Sequence, residues 1–348
     1  MTLRAFAIMV TLLTCYRCAW SQQSNLPVLL REGRQALQAD DFSRAAHDFT
    51  QALQIAPENL EANRGVLLSD LQIGRFEEAV RVGRAAVAKW HDDADLQHWL
   101  GLAYFKTGRN SEALICLRAA ERLAPAHADV PFDAALVLLS DTNYSEAAIE
   151  LEKSIKLNSN ELNSNSALAH VLLGRAYQNT NRTLPAVEQF RIALRLQPDV
   201  SLGHYHLGFA YASLGRNQEA IAEYEKELQH SQHNPTVLYQ LGHCELEAGM
   251  LERATEHLRQ AEQLDPGNAD APYDLGKSLL MQGDAAAALI PLRRAIALRP
   301  TDPGAHYQLA RALEKSGNKE EAARELGIFA ERKKTQPATG GMAAGPVQ

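Results

Sequence analysis

The sequence predicts an all-α fold of stacked helical hairpins, on three observations. Small residues recur at an interval of 34 residues, apolar residues return at helical spacing inside each interval, and glycine and proline stand where helices should end. One hairpin of this size cannot bury its apolar face alone, so neighbouring hairpins must stack to form a continuous core. We therefore expect a single solenoid rather than several domains.

Two markers define the interval. The first is a glycine inside the first helix of a unit, at Gly174, Gly208, Gly242 and Gly276. The second is an alanine in the helix that follows, and it recurs in two series, Ala45, Ala79, Ala113 and Ala147, then Ala186, Ala220, Ala254, Ala288 and Ala322. Nine units in register indicate a repeat architecture.

The register is broken once. The step from Ala147 to Ala186 is 39 residues rather than 34, so five residues have been inserted between the fourth and fifth units. We assign the insert to Leu162–Ser166, within the run NSNELNSNS. The asparagine and serine content of this run predicts a surface loop or a short extension of the next helix.

Within a unit the apolar residues form two helical runs. In the unit that begins at Ser201, one face of the first helix carries Leu207, Tyr211 and Leu214. Gly215 follows, where a residue with positive φ can end a helix. A proline, which cannot continue the helix, stands after the second run in several units, at Pro198, Pro266 and Pro300.

The order Leu-Gly-x-x-Tyr, Gly, Ala, aromatic, Ala and Pro at this interval resembles the tetratricopeptide repeat family. The resemblance covers residues 26–336 and implies a right-handed α-solenoid, a superhelix of nine helix-turn-helix repeats. We place the solenoid at residues 22–336, with units at 26–59, 60–93, 94–127, 128–161, 167–200, 201–234, 235–268, 269–302 and 303–336.

Residues 1–21 have the pattern of a secretory signal peptide. Arg4 precedes an apolar stretch, Ala5–Leu13, and the small residues Ala19 and Ser21 precede the expected cleavage after position 21. The stretch is shorter than the roughly 20 apolar residues that span a bilayer, so we expect no integral membrane span and a periplasmic or secreted protein. Two alternatives stay open, a frayed apolar N-terminus of a cytosolic protein and a lipoprotein modified at Cys15.

Charge and composition narrow the classes of partner. The net charge of −7 and the isoelectric point near 6.0 argue against nucleic acid, because phosphate binding needs a basic face. Cys116 and Cys244 are the cysteines left after signal cleavage, and their wide separation in sequence makes a disulfide unexpected. Residues 337–348 are rich in glycine, alanine and proline, which predicts a disordered tail.

Motifs for chemistry are weak throughout the sequence. Gly276-Lys277-Ser278 ends like a phosphate-binding loop, but the required earlier glycine is replaced by Ala271. The histidines show no His-Glu-x-x-His spacing, and no Gly-x-Ser-x-Gly is present. We therefore expect no catalytic residues, no bound metal, no cofactor and no enzymatic activity.

A periodic aromatic and cationic row is the candidate site. The fifth position of the last four units is tyrosine, and cations or aromatics stand at the ninth position. In the family these first-helix positions line the concave groove, so the resemblance implies that an extended peptide with apolar and acidic side chains binds there. The alternative is that the tyrosines pack between units. The candidate residues are Tyr205, Tyr239, Tyr273, Tyr307, Arg175, Phe209, His243, Lys277 and Arg311.

These features predict a protein-interaction scaffold, exported to the bacterial envelope, that binds a peptide segment or partner protein in its concave groove. An accessory subunit of an envelope secretion or polysaccharide-export enzyme complex is the alternative. The fold alone does not separate these two functions, and the sequence leaves the partner's identity and the oligomeric state open.

Overall fold

The computed structural model of this chain describes residues 25–158 and 164–335. Those residues form helices joined by short turns, with no β-strand among them, which confirms the all-α prediction. The helices are α1 (25–38), α2 (Phe42–Ile55), α3 (Leu60–Gln72), α4 (Phe76–Lys89), α5 (Ala94–Lys106), α6 (Asn110–Leu123), α7 (Asp129–Ser140), α8 (Tyr144–Leu157), α9 (Ser164–Asn179), α10 (Thr183–Leu196), α11 (Gly203–Ser213), α12 (Asn217–His230), α13 (Pro235–Glu247), α14 (Leu251–Leu264), α15 (Asp270–Gln282), α16 (Ala285–Leu298), α17 (Pro303–Lys315) and α18 (Lys319–Thr335).

The chain divides into two compact units, Met1–Thr180 and Asn181–Gln348. The described part of the first unit carries α1–α9 and that of the second carries α10–α18. Each unit is a stack of helical hairpins in which consecutive helices pack together. The division falls between α9 and α10, the two helices of the predicted fifth repeat, so the continuity of a nine-repeat stack across this point stays a prediction.

Odd-numbered helices share one face of each unit. In the first unit α5 contacts both α3 and α7, and in the second unit α11, α13, α15 and α17 contact one another in sequence. Even-numbered neighbours show no comparable approach within the described ranges. Each stack is therefore tighter on the side of its odd-numbered helices, and we call this side the odd-helix face.

The glycine marker is explained by close helix packing. A Cβ atom on Gly101 would lie 2.8 Å from the side chain of Leu117, and one on Gly208 would lie 2.9 Å from the ring of Tyr224. Such distances are below an ordinary carbon–carbon contact, so the two helices of a hairpin can approach this closely only where the first has no side chain. The marker is a packing requirement of the hairpin.

The turn between the two helices explains the rest of the repeated motif. Gly215 has φ of 70°, a left-handed conformation that glycine adopts at little cost. The next residue, Arg216, lays its guanidinium 4.6 Å from the ring centroid of Tyr211 and bonds Glu219, which joins the helices on either side of the turn. The third repeat has the same set, Gly108, Arg109, Tyr104 and Glu112.

Several sequence predictions fall wholly or partly outside the described residues. These are the signal peptide at 1–21, the tail at 337–348 and the first two residues of the insert. The last three residues of the insert, 164–166, form the first turn of α9. The form of the whole insert stays a prediction.

The two cysteines among the described residues, Cys116 and Cys244, are buried free thiols, and burial raises the pKa of Cys116 to about 11 and the pKa of Cys244 to about 12. In the described part of the chain, no helix combines the length and apolarity needed to cross a membrane.

Candidate peptide-binding site

The four tyrosines of the candidate row lie on the odd-helix face of the second unit, one on each of α11, α13, α15 and α17. Their exposure rises along the row. Tyr205 is 3% exposed, Tyr239 and Tyr273 are half-buried, and Tyr307 is 40% exposed. The same repeat position therefore gives a core side chain at one end of the row and an accessible ring at the other.

Tyr205 packs as part of the hairpin core. Its ring centroid lies 6.0 Å from that of Tyr224 and 6.5 Å from that of Phe209. Its hydroxyl is buried without a hydrogen-bond partner among the described residues, and burial raises the pKa of Tyr205 to about 12. Tyr205 offers almost no surface to a ligand, whereas Phe209 beside it is half-buried.

Tyr239 and His243 meet a buried carboxylate from the next repeat. Asp274 on α15 is 3% exposed, and its charge adds to the effect of burial in raising the pKa of Tyr239. Its Oδ2 lies 2.8 Å from His243 Nδ1. The hydrogen bond to Asp274 raises the pKa of His243, and burial raises the pKa of Tyr239 above its usual value. The contact between His243 and Asp274 therefore joins α13 to α15.

Lys277 is also paired inside the protein. Its Nζ lies 2.8 Å from Oε1 of Glu247 on α13, and this bond lowers the pKa of the Glu247 carboxyl. Two of the predicted ninth-position cations, His243 and Lys277, are thus already matched by the chain's own carboxylates. A ligand carboxylate would have to compete with those partners.

Arg311 differs from the other cations of the row. It is exposed on α17, donates to Gln308 Oε1 at 3.1 Å and lies 5.9 Å from the ring centroid of Tyr307. No carboxylate within the described ranges comes within ion-pair distance of it.

Arg175 belongs to a different compact unit from the rest of the candidate set. It is half-buried on α9 and belongs to the first compact unit, whereas the other eight candidates belong to the second. Its carbonyl accepts a hydrogen bond from Asn179 Nδ2 at 2.9 Å within the same helix. The structure therefore brings together eight of the nine residues on one unit, in the pairs described above.

The first unit has an apolar pocket that the sequence did not reveal. The pocket lies on the odd-helix face and has a volume of about 300 Å³. Two arginines line it, and each is paired with a carboxylate, Arg34 with Glu61 and Arg64 with Asp93. In the sequence, the sign of this pocket is Trp99, which lies in the first helix of the third repeat. The lining residues are Arg34, Leu37, Phe49, Glu61, Arg64, Gly65, Leu68 and Trp99.

Across residues 25–158 and 164–335, no three histidine, cysteine or carboxylate side chains are grouped so that they could hold a metal ion. Five histidines each pair with one carboxylate instead, and among them His98 lies 2.6 Å from Asp133 and His306 lies 2.6 Å from Glu325.

The paired-helix stacks with an accessible face of aromatic and polar side chains define a helical-repeat protein of the class that serves as a scaffold. Comparison with family models agrees. A tetratricopeptide repeat model matches residues 30–94, 68–128, 100–161, 171–235 and 239–303, and a second tetratricopeptide repeat model matches 279–338. The chain belongs to the tetratricopeptide repeat family, whose fold is suited to protein–protein interaction.

Individual relatives are more distant. The Vi polysaccharide export protein VexE of Salmonella typhi is 32% identical over 152 residues, which are 41% of this chain and 22% of that protein. The chain therefore spans only about a fifth of this relative's length. Among solved structures, the Cut9–Hcn1 hetero-tetramer of the APC/C shares 19% identity at a TM-score of 0.50, covering 78% of this chain and 52% of that one. YrrB, a TPR protein with an unusual peptide-binding site, shares 24% identity at a TM-score of 0.48, covering 54% of this chain and 95% of that one.

Proposed function

We propose that this protein is a non-enzymatic interaction scaffold that binds a peptide segment of a partner protein along the odd-helix face of its second unit, the concave groove expected of the family. The observation that carries the proposal is the accessible row on α15 and α17. Tyr273 and Tyr307 present ring surface there, and Arg311 lies beside them with no carboxylate of its own among the described residues.

The geometry suits an extended peptide better than a small molecule. Equivalent side chains repeat from one odd-numbered helix to the next, which favours a ligand that also repeats along its length. Tyrosine rings provide contact area at a low cost in conformational entropy, because only two side-chain torsions are fixed. The inward pairs His243–Asp274 and Lys277–Glu247 keep the helices in place beneath such a ligand.

We further propose that the protein is exported to the bacterial envelope. The support is the signal-like pattern of residues 1–21. The mature chain is then expected to begin at Gln22, and N-terminal sequencing of the protein from its native host tests this. A native protein that still carries Met1 would contradict export, and a lipid on Cys15 would favour the lipoprotein alternative.

A second candidate function is an accessory subunit of an envelope secretion or polysaccharide-export complex. The observation that favours it is the similarity to a protein named for polysaccharide export. In that case affinity purification from envelope membranes should recover the protein together with the export machinery. Recovery of one partner without such machinery would favour the simpler scaffold.

The main proposal is tested with a partner identified by purification from the envelope fraction. Tyr273→Ala and Tyr307→Ala should each weaken binding by about 1–3 kcal/mol if they are interface anchors. Tyr144→Ala, on α8 of the first unit, is the matched control because it removes a half-buried tyrosine away from the odd-helix face. Unchanged affinity for both groove variants, in proteins of unchanged helical content, would show that the partner binds elsewhere.

A further inference from the structure

The last described hairpin carries a continuous run of cations and aromatic rings. Arg311 lies 5.9 Å from the ring centroid of Tyr307, and the Tyr307 and Phe329 centroids are 5.2 Å apart. Lys333 Nζ then lies 5.6 Å from the centroid of Phe329. Two of these side chains come from α17 and two from α18, and we call the four the cation–ring run.

Phe329 is unusual for its place in the repeat. At the same position of the eight other units stands a small residue or, once, a glutamate, and each of these is buried, as Ala52, Ala86, Ala120, Ser154, Ala193, Glu227, Ala261 and Ala295. The ring of Phe329 is only half-buried and packs on Tyr307. The large side chain at this position thus builds an accessible aromatic pair that no other hairpin has at this site.

The two cations of the run have no ion-pair partner among the described residues. Arg311 and Lys333 are both exposed. Neither has a carboxylate within ion-pair distance among the residues that the structure describes. Glu325 on α18 is paired with His306, whose Nδ1 lies 2.6 Å from Glu325 Oε2. In contrast, His243 and Lys277 on the odd-helix face are paired with Asp274 and Glu247. Of these four cations, the two without a carboxylate partner among the described residues are Arg311 on α17 and Lys333 on α18.

We propose that the cation–ring run is where the protein recognises acidic residues of a bound peptide, and that its ligand is a segment in which carboxylates flank an apolar or aromatic side chain. This inference rests on the proposed function. A guanidinium stacked on a ring keeps its N–H groups directed outward, where they can donate to a carboxylate. The partly exposed rings between the two cations take the apolar side chain, so charge and shape select the same ligand.

The test uses the full-length protein and two fluorescein-labelled peptides, Gly-Ser-Asp-Asp-Phe-Asp-Asp-Ser-Gly and its counterpart with asparagine at every aspartate. Fluorescence anisotropy at low ionic strength should show binding of the acidic peptide, weakening as salt rises because exposed charges are screened. Arg311→Gln and Lys333→Gln should each weaken this binding about threefold to tenfold. Arg324→Gln should leave it unchanged, since this exposed arginine of α18 lies outside the run and carries the same charge.

Two results would overturn the inference. One is equal affinity for the acidic and the amide peptide, or no binding of the acidic peptide at low salt. The other is equal loss in Arg311→Gln, Lys333→Gln and Arg324→Gln, which would indicate a general effect of net charge. Either result leaves peptide binding through Tyr273 standing, whereas an intact partner affinity in Tyr273→Ala and Tyr307→Ala would remove the proposed function itself.

Discussion

Replacing Asp274 by asparagine should destabilise the second unit in a way that depends on pH. The buried carboxylate lies 2.8 Å from His243 Nδ1, so it joins two odd-numbered helices, α13 and α15. Asparagine keeps the shape of the side chain, but it removes the charge that faces His243. A hydrogen bond between charged groups contributes about 2 kcal/mol, and a neutral one about 1 kcal/mol.

The sign follows from the raised pKa of His243, whose first cause is the hydrogen bond to Asp274. A histidine that binds its proton more tightly when folded adds stability fully below its unfolded pKa of 6.5, and this stability is lost as pH rises through the raised folded pKa. Glu247 also favours the proton and Lys277 opposes it. Asp274→Asn should therefore cost about 2 kcal/mol at pH 5.5 and about 1 kcal/mol or less at pH 8.5.

Urea unfolding followed by far-ultraviolet circular dichroism at both pH values measures this difference. Asp199→Asn is the control, because it removes an exposed carboxylate from the same unit. A cost for Asp274→Asn that is equal at the two pH values, or larger at pH 8.5, would refute the account of the pair between His243 and Asp274.

Three further predictions concern the hairpin core. Gly208→Ala should lower the free energy of unfolding by about 1–3 kcal/mol, because the new Cβ would lie 2.9 Å from Tyr224; an unchanged urea midpoint would contradict this. Tyr205→Phe should leave stability unchanged or raise it by about 1 kcal/mol, since it removes a buried hydroxyl without a described partner; a large loss in urea unfolding would show that the hydroxyl is bonded. Iodoacetamide at pH 7.5 should modify Cys116 and Cys244 only in unfolded protein, because both thiols are buried and their pKa values are raised; labelling of the native protein, detected by mass, would disprove it.

The fold was predictable because the repeat encodes it redundantly. The spacing marks Gly208 as a constant glycine of the first helix, and the Cβ distance to Tyr224 shows why a side chain does not fit there. Gly215 was expected to end a helix and has the positive φ that this requires. Both features depend on backbone geometry within one hairpin, and a periodic sequence fixes that geometry once in every unit.

The chemistry of the candidate site was less predictable because it depends on neighbours. A tyrosine at the fifth position is buried at Tyr205, where Tyr224 packs on it, and exposed at Tyr307. The partner of His243 is Asp274, 31 positions further along the chain, and only the stacking of α13 on α15 brings the two together. The pocket beside Trp99 likewise depends on side chains from three repeats. Repeat register gives the place of a residue but not the identity of the side chains around it.

Hydroxyl-radical footprinting of the complex with the identified partner tests the central claim most directly, since it reports side-chain accessibility residue by residue. Tyr307 and Met281, which are 40% and 54% exposed on odd-numbered helices of the second unit, should become protected when the partner binds. Ile290 on α16, 78% exposed, and Tyr144 in the first unit should not change. Protection of Ile290 with no change at Tyr307 and Met281 would place the partner on the opposite, even-numbered helices and contradict binding on the odd-helix face.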